Sequence, residues 1–198
     1  MSSVRMGQET LELRYLSHED QSDAVVASIL HLSNSILGGS ESESHRTSLE
    51  IWKTRLSDPA STIVYIVPRP SGDDRFATVP LRSSTYTPAG SRMTPVAFIF
   101  AYPRSHPEPL RDGSSRSLHI WLAGVSEEYR GRRCLGAMVN ALMELEKNRQ
   151  GSPSLPTLTV CTSPTRFPSM WAWLKTRTQW VLEKEWDDGK VMLSLIEW

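Results

Sequence analysis

Hydrophobic and polar positions change period several times along the chain, and each change predicts an element. Residues 10 to 16, TLELRYL, alternate and predict a first strand. From 20 to 37 the period becomes helical, with Val25, Ile29, Leu32 and Ile36 on one stripe, Asp20 or Ser22 as candidate caps, and Gly38-Gly39 as the stop. Leu49, Trp52 and Leu56 predict a second, shorter helix over 45 to 57, closed by Asp58-Pro59. TIVYIVP at 62 to 68 is rich in β-branched and aromatic residues and predicts a buried strand. PVAFIFAY at 95 to 102 and SLHIWLAGV at 117 to 125 predict two more. A helix over about 132 to 148 is expected to bury Leu135, Met138, Val139, Leu142 and Leu145. TLTVCT at 157 to 162 reads as a strand and FPSMWAWLKTR at 167 to 177 as a helix. Trp180 to Trp186 and Lys190 to Ile196 read as a closing hairpin around Asp188-Gly189.

That order implies an α/β (α+β) fold in a single domain over 1–198: a central mixed sheet covered by helices. Two stretches lack a period and predict long loops, 69–94 and 103–116. No internal repeat stands out.

Composition narrows the class. Of 198 residues, 39% are hydrophobic, enough for a core, yet no apolar run approaches the ~20 residues of a spanning helix. A membrane partner is therefore not expected. MSSVRMGQETLEL at the start has no apolar signal core, and the two cysteines, Cys134 and Cys161, make neither a disulfide framework nor a metal-ligand cluster. A reducing, cytoplasmic setting is the expectation. Lys+Arg and Asp+Glu both number 22, which speaks against a general nucleic-acid binder while leaving room for a local anion site.

The candidate for that site is EEYRGRRCLGAMVNAL, 127 to 142. Arg130, Arg132 and Arg133 crowd with Gly131 and Gly136 into seven residues, immediately before a helix. A helix N-terminus offers unpaired N–H groups and the positive end of the dipole, so a basic turn there suits a phosphate. The plainer alternative is a solvated basic loop. Neither the P-loop nor the Rossmann pattern is present.

HIWLAGVSEEYRGRRCLGAMVNALM resembles the acyl-coenzyme A-binding segment of the GNAT acyltransferase superfamily. TSPTRFPSMWAWLKTR resembles the corresponding part of its small fungal members. The resemblance implies a mostly antiparallel sheet in which one strand splays from its neighbour. The backbone of Leu122, Ala123, Gly124 and Val125 would then meet the pantetheine arm of acetyl-CoA. The turn from Arg130 through Gly131, Arg132, Arg133, Cys134, Leu135 and Gly136 to Ala137 would hold its pyrophosphate. The family pattern R/Q-x-x-G-x-G/A places its glycines on Arg133 and Leu135 in one register, and on Cys134 and Gly136 in the next. The family's tyrosine acid falls by spacing on Leu174, with Thr178 in place of the following glycine.

Candidate catalytic residues are His119, Thr162 and Ser163. His119 suits a base near neutral pH, or alternatively a hydrogen-bonded histidine of the sheet. Thr162 and Ser163 end the strand before Pro164, where hydroxyls meet an acceptor or simply form a turn. Trp121, Glu127 and Trp171 are the candidate substrate contacts, with core packing or a solvated turn as the alternatives. Cys161 is expected to be a buried cysteine rather than an acyl carrier. The leading functional expectation is acetyl transfer to a small-molecule amine, by a monomer or homodimer. The alternatives are a GNAT-fold protein with an eroded coenzyme A site doing cofactor-independent chemistry, and a non-catalytic binding module.

Overall fold

The computed structural model describes residues 10–18, 22–37, 47–69, 94–150, 157–177 and 179–195. The elements run β1 Thr10–Leu16, α1 Asp23–Leu37, α2 Leu49–Leu56, β2 Thr62–Arg69, β3 Ala97–Ser105, β4 Arg116–Val125, α3 Cys134–Gln150, β5 Leu158–Thr162, α4 Pro168–Lys175, β6 Trp180–Glu185 and β7 Val191–Leu195. The expected order is reproduced. The loop expected at 69–94 falls, apart from its two ends, outside the described residues, as do Asp20, Gly38, Gly39 and Thr178.

Local chemistry accounts for several of the boundaries. Ser48 caps α2, its Oγ accepting from the Ile51 amide at 3.3 Å. Pro168 opens α4, where a missing N–H costs nothing. Gly189 turns the β6–β7 hairpin with φ +75°, a conformation that favours glycine.

Seven strands form one sheet in the order β1-β2-β3-β4-β5-β7-β6. Every neighbouring pair is antiparallel except β4 and β5, which run parallel. The stretch expected as a loop at 103–116 is shorter than its composition suggests. Pro103, Arg104 and Ser105 continue β3 and pair with Leu118, Ser117 and Arg116. Pro103 fits a strand here because the β2 pairing of β3 stops at Ala101, leaving no ladder bond for its nitrogen to supply on that side.

Apolar side chains pack on both faces. Under α1 and α2, Val26, Ile29, Trp52 and Leu56 meet Ile63, Tyr65, Phe98 and Phe100. On the other face Met138, Val139, Leu142 and Met143 of α3, with Leu174 of α4, meet Val64, Ile99, Ile120, Leu158 and Val160. Leu135 and Leu145, expected on the same face as Met138, Val139 and Leu142, are half-buried against that core, whereas Cys134 and Met143 are buried.

Two irregularities shape β4. Phe100 faces Leu122 and Ala101 faces Ile120, so Trp121 is an extra residue, a β-bulge. The bulge puts Trp121 and Leu122 both against the α1/α2 cluster and returns Ala123 to the α3 side. The second irregularity lies on the other edge. β4 and β5 share only the rungs Leu118–Leu158, His119–Thr159 and Ile120–Val160. Beyond them β4 runs on to Val125 and β5 to Thr162 without pairing to each other, so a V opens between Trp121 and Cys161.

Candidate active site: a splayed strand pair, an amide-lined turn and an arginine-rich floor

The chain leaves β4 through a single 3-10 turn, Glu127–Tyr129, whose carbonyls accept from the following amides. Gly131 then takes φ +78° and Arg133 φ +62°. The first helical bond of α3 is Ala137 N–H to Arg133 C=O, 3.1 Å. The amides of Arg133, Cys134, Leu135 and Gly136 are left without an acceptor. Left-handed residues next to such amides make an anion-binding concavity. The Arg130 side chain folds back on the end of β4, its Nε donating to Val125 C=O at 3.4 Å. Arg132 lies over the Tyr129 ring, 4.7 Å from its centroid.

Of the cofactor residues expected from the sequence, Arg130 to Gly136 therefore share one turn. Ala137 stands apart, because its amide is already bonded within the helix. The Cys134 side chain is buried and that of Leu135 packs against the core, so the two present backbone to the turn. The Cys134 thiol is buried, reaches Tyr129 C=O at 3.7 Å, and is pushed above the ordinary thiol range by burial. Leu122 to Val125 border the V, with their side chains turned into the core on either face. Gly124 is demanded by packing: a Cβ there would lie 3.0 Å from both Ile36 Cδ1 and Phe98 Cε1.

Arg133 occupies the left-handed conformation that favours glycine. A left-handed L-residue costs about 1–2 kcal/mol, offset in part by glycine's greater freedom when unfolded. Arg133→Gly is expected to stabilise the fold by up to about 1 kcal/mol, read as a higher denaturant midpoint at unchanged slope. A lower midpoint would contradict the left-handed backbone at this position.

Beside the turn, α3 and α4 enclose a cleft of about 390 Å³ lined by Arg133, Gly136, Asn140, Trp173, Arg177 and Trp180, among others. The Arg177 guanidinium lies 4.5 Å from the Trp173 centroid and 3.2 Å from where a Gly136 Cβ would sit.

On the opposite face, His119 sits in a chain of buried polar groups. Arg104 Nη1 is 3.3 Å from His119 Nε2, and His119 Nδ1 is 3.0 Å from Thr159 Oγ1. Thr159 Oγ1 is 2.8 Å from Ser117 Oγ, which is 2.7 Å from His106 Nε2. A guanidinium only donates, so Nε2 accepts from it and Nδ1–H donates to Thr159. Burial, then the charges of Arg104, His106 and Arg55, hold the His119 pKa down to about 3. A neutral imidazole with both nitrogens engaged is a poor base near pH 7. The geometry matches the alternative reading of His119, a hydrogen-bonded histidine of the sheet.

The expected catalytic trio is also divided. Leu158 and Val160 belong to the α3-side core, so Thr162, two residues on, faces that side, away from His119. Thr159 and Cys161 share the face of His119 instead. Ser163 lies just past β5, its Oγ 3.2 Å from Thr165 Oγ1. Cys161 is half-buried, and burial raises its thiol pKa despite Arg104 Nη1 at 3.6 Å. That is the environment of an inert cysteine.

The three expected substrate contacts are likewise apart. Trp121 packs with Phe100, Tyr102 and Trp52 on the α1/α2 face, whereas Trp171 packs against the α3-side core beside Lys175. Glu127 is exposed in the 3-10 turn. Sequence reasoning missed Arg55, Tyr102, Arg104 and Thr159. The period-two position of Tyr102 and Arg104 on a strand extended past 102 was the one available signal.

Leu174, which the resemblance sets where a tyrosine acid would stand, is 1% exposed and part of the core. No described helix is long and apolar enough to cross a membrane.

No protein-family model and no curated protein matches the sequence. Solved structures do match. Arabidopsis thaliana NAA60 with a bisubstrate analogue aligns over 93% of this chain and 97% of its own, at TM-score 0.58 and 14% identity. An acetyltransferase of the GNAT family from Staphylococcus aureus aligns over 94% and 99%, at TM-score 0.55 and 9% identity. The aminoglycoside N-acetyltransferase AAC(6')-Iy in complex with CoA aligns over 86% and 88%, at TM-score 0.54 and 14% identity. The chain has the fold of the GNAT acetyltransferases, with a seven-stranded mixed sheet flanked by four helices among the described residues.

Proposed function

We propose that this protein is an acyl-CoA-dependent N-acyltransferase that moves acetyl from acetyl-CoA to an amine of a small molecule, by direct attack in a ternary complex. The observation that carries the reading is the V between β4 and β5, opening beside a turn whose last four amides, Arg133 to Gly136, have no acceptor among the described residues. The fit to acetyl-CoA is good in chemistry. Those amides, with Arg130 and Arg132, suit a pyrophosphate, and the cleft between α3 and α4 extends the same surface with Asn140, Arg177 and an indole. The unpaired edge of β4 from Leu122 to Val125 offers backbone groups to the amide-rich pantetheine arm. The cosubstrate supplies an activated thioester, whose thiolate leaving group has a pKa near that of cysteine, about 8.5.

The chain's own contribution in this reading is placement. Holding an amine against a thioester in a fixed geometry supplies several kcal/mol of the barrier without an acid or base. His119 acts as a positioning residue that fixes Arg104, and Thr162 and Ser163 are the hydroxyls at the end of β5. With Leu174 in the core, protonation of the leaving thiolate falls to water or to a hydroxyl there.

Calorimetric titration with acetyl-CoA tests the reading. Micromolar binding is expected. Removing one charge-assisted contact costs about 1.5–3 kcal/mol, so Arg130→Ala should weaken it roughly ten- to hundredfold. Absence of binding at millimolar ligand would overturn the reading and favour cofactor-independent use of the fold.

A further inference from the structure

Two arginines stand at the V on the face opposite α3, one on each lip. The Arg55 guanidinium, from the last turn of α2, lies against two rings, 4.4 Å from the Tyr102 centroid and 4.2 Å from that of Trp121. Trp121 is the first β4 residue beyond the last rung shared with β5. Arg104, two residues along β3 from Tyr102, reaches His119 Nε2 and, at 3.6 Å, Cys161 Sγ. Cys161 is the first β5 residue beyond that rung. The rings of Tyr102 and His119, 5.7 Å apart and edge to face, join the two positions into one floor.

Neither guanidinium has a carboxylate partner among the described residues. The ion pairs among the described residues lie elsewhere, for example Lys53–Asp23 and Arg149–Glu146. The partners of Arg55 are two rings, and those of Arg104 are an imidazole nitrogen and a sulfur. Glu183, the acid bordering this polar chain, is already held by Ser194 Oγ and the Arg111 amide. Both arginines are half-buried. Two like charges at one cleft, partly removed from water and unpaired, are costly unless a ligand neutralises them. A planar guanidinium fork matches a carboxylate or phosphate bidentately.

We infer that the acceptor is an amine that carries its own anionic group, such as an amino acid, with the anion held by Arg104 and Arg55 and the apolar part of the molecule on Tyr102 and Trp121. The inference rests on the acyltransferase reading and names the substrate class for that same site. Two cations at the floor disfavour a polycationic acceptor by like-charge repulsion. They also favour the neutral amine of a bound amino acid over its ammonium form, which is the form that attacks a thioester.

The test compares matched pairs at fixed acetyl-CoA, following release of the free thiol: phenylalanine against phenethylamine, tryptophan against tryptamine, and phosphoethanolamine against ethanolamine, with spermidine as the polycation. The expected result is at least a tenfold higher kcat/KM for the anionic member of one or more pairs. The first two pairs against the third separate a carboxylate from a phosphate. In Arg104→Met the ratio within the preferred pair should fall at least tenfold, chiefly through KM of the anionic member. Arg55→Met gives the same readout without disturbing the hydrogen bond to His119. Faster turnover of spermidine or of the uncharged-tail amines, turnover of no anionic member, or an unchanged ratio in both variants would overturn the inference. Those failures leave acetyl-CoA binding intact. Failure of the parent reading shows earlier, as absence of acetyl-CoA binding before any acceptor is added, and takes this inference with it.

Discussion

Replacing Trp52 with alanine is expected to lower the unfolding free energy by about 4 kcal/mol, within the usual range for emptying a large aromatic site. Trp52 is 0% exposed and is the hub of the α1/α2 face. Its ring meets Phe98 at 6.0 Å, Phe100 at 5.1 Å and Trp121 at 6.3 Å between centroids. Its Nε1–H donates to Thr47 Oγ1 at 2.8 Å, so the polar end is satisfied as well. Deletion leaves a cavity walled by rings anchored on two strands, which cannot collapse to fill it. Ile51, the preceding residue on the same helix, is 46% exposed, and Ile51→Ala should change stability by less than about 0.5 kcal/mol. Equilibrium denaturation of the two variants checks the contrast. A similar cost for both would mean that α2 contributes through helix content and not through this packing.

Acidification should be nearly as damaging, and for a reason that lies in one residue. The His119 pKa is about 3 in the folded protein against an ordinary 6.5. Between those values the unfolded chain binds a proton that the folded chain refuses, so stability falls as pH falls. Each pH unit is worth about 1.4 kcal/mol, on the order of 5 kcal/mol across the whole window. His106 contributes with the same sign, its pKa lowered by burial and by Arg104. Carboxylates enter at the acid end, so the clean interval is pH 6.5 to 5, where His119 alone should remove about 2 kcal/mol. Denaturant midpoints across that interval test this, with His119→Gln as the variant that keeps an acceptor for Arg104 but cannot titrate. The variant should lose most of the slope. An equally steep slope in both proteins would show that His119 takes up its proton in the fold without penalty.

How much of this was legible beforehand follows from the range of the interactions involved. The elements could be read along the chain because their causes are local. Val25, Ile29 and Leu32 share a helical stripe whatever they later pack against, and Asp188-Gly189 turns a hairpin by its own dihedral preferences. The basic turn was legible for the same reason: arginines and glycines crowded before a helix act through neighbouring backbone. By contrast, Pro103 to Ser105 looked like loop because their strand character depends on partners across the sheet.

Sequence alone thus determined the order of the strands and helices among the described residues, a mixed sheet covered by helices, and a basic, glycine-marked turn before α3. The tertiary structure decided which side chains meet. The bulge at Trp121 changes the facing of β4 by one residue, and no periodicity announces a bulge. The alternation of β5 turns Thr162 away from His119 and brings Thr159 and Cys161 to it. Arg55 and Arg104, separated by 49 positions in the chain, come to one floor because Arg55 packs on Tyr102 and Trp121 while Arg104, two residues from Tyr102, reaches His119. Side-chain chemistry at a site is a property of such long-range registers. Sequence pattern reports only what each residue does with its neighbours in the chain.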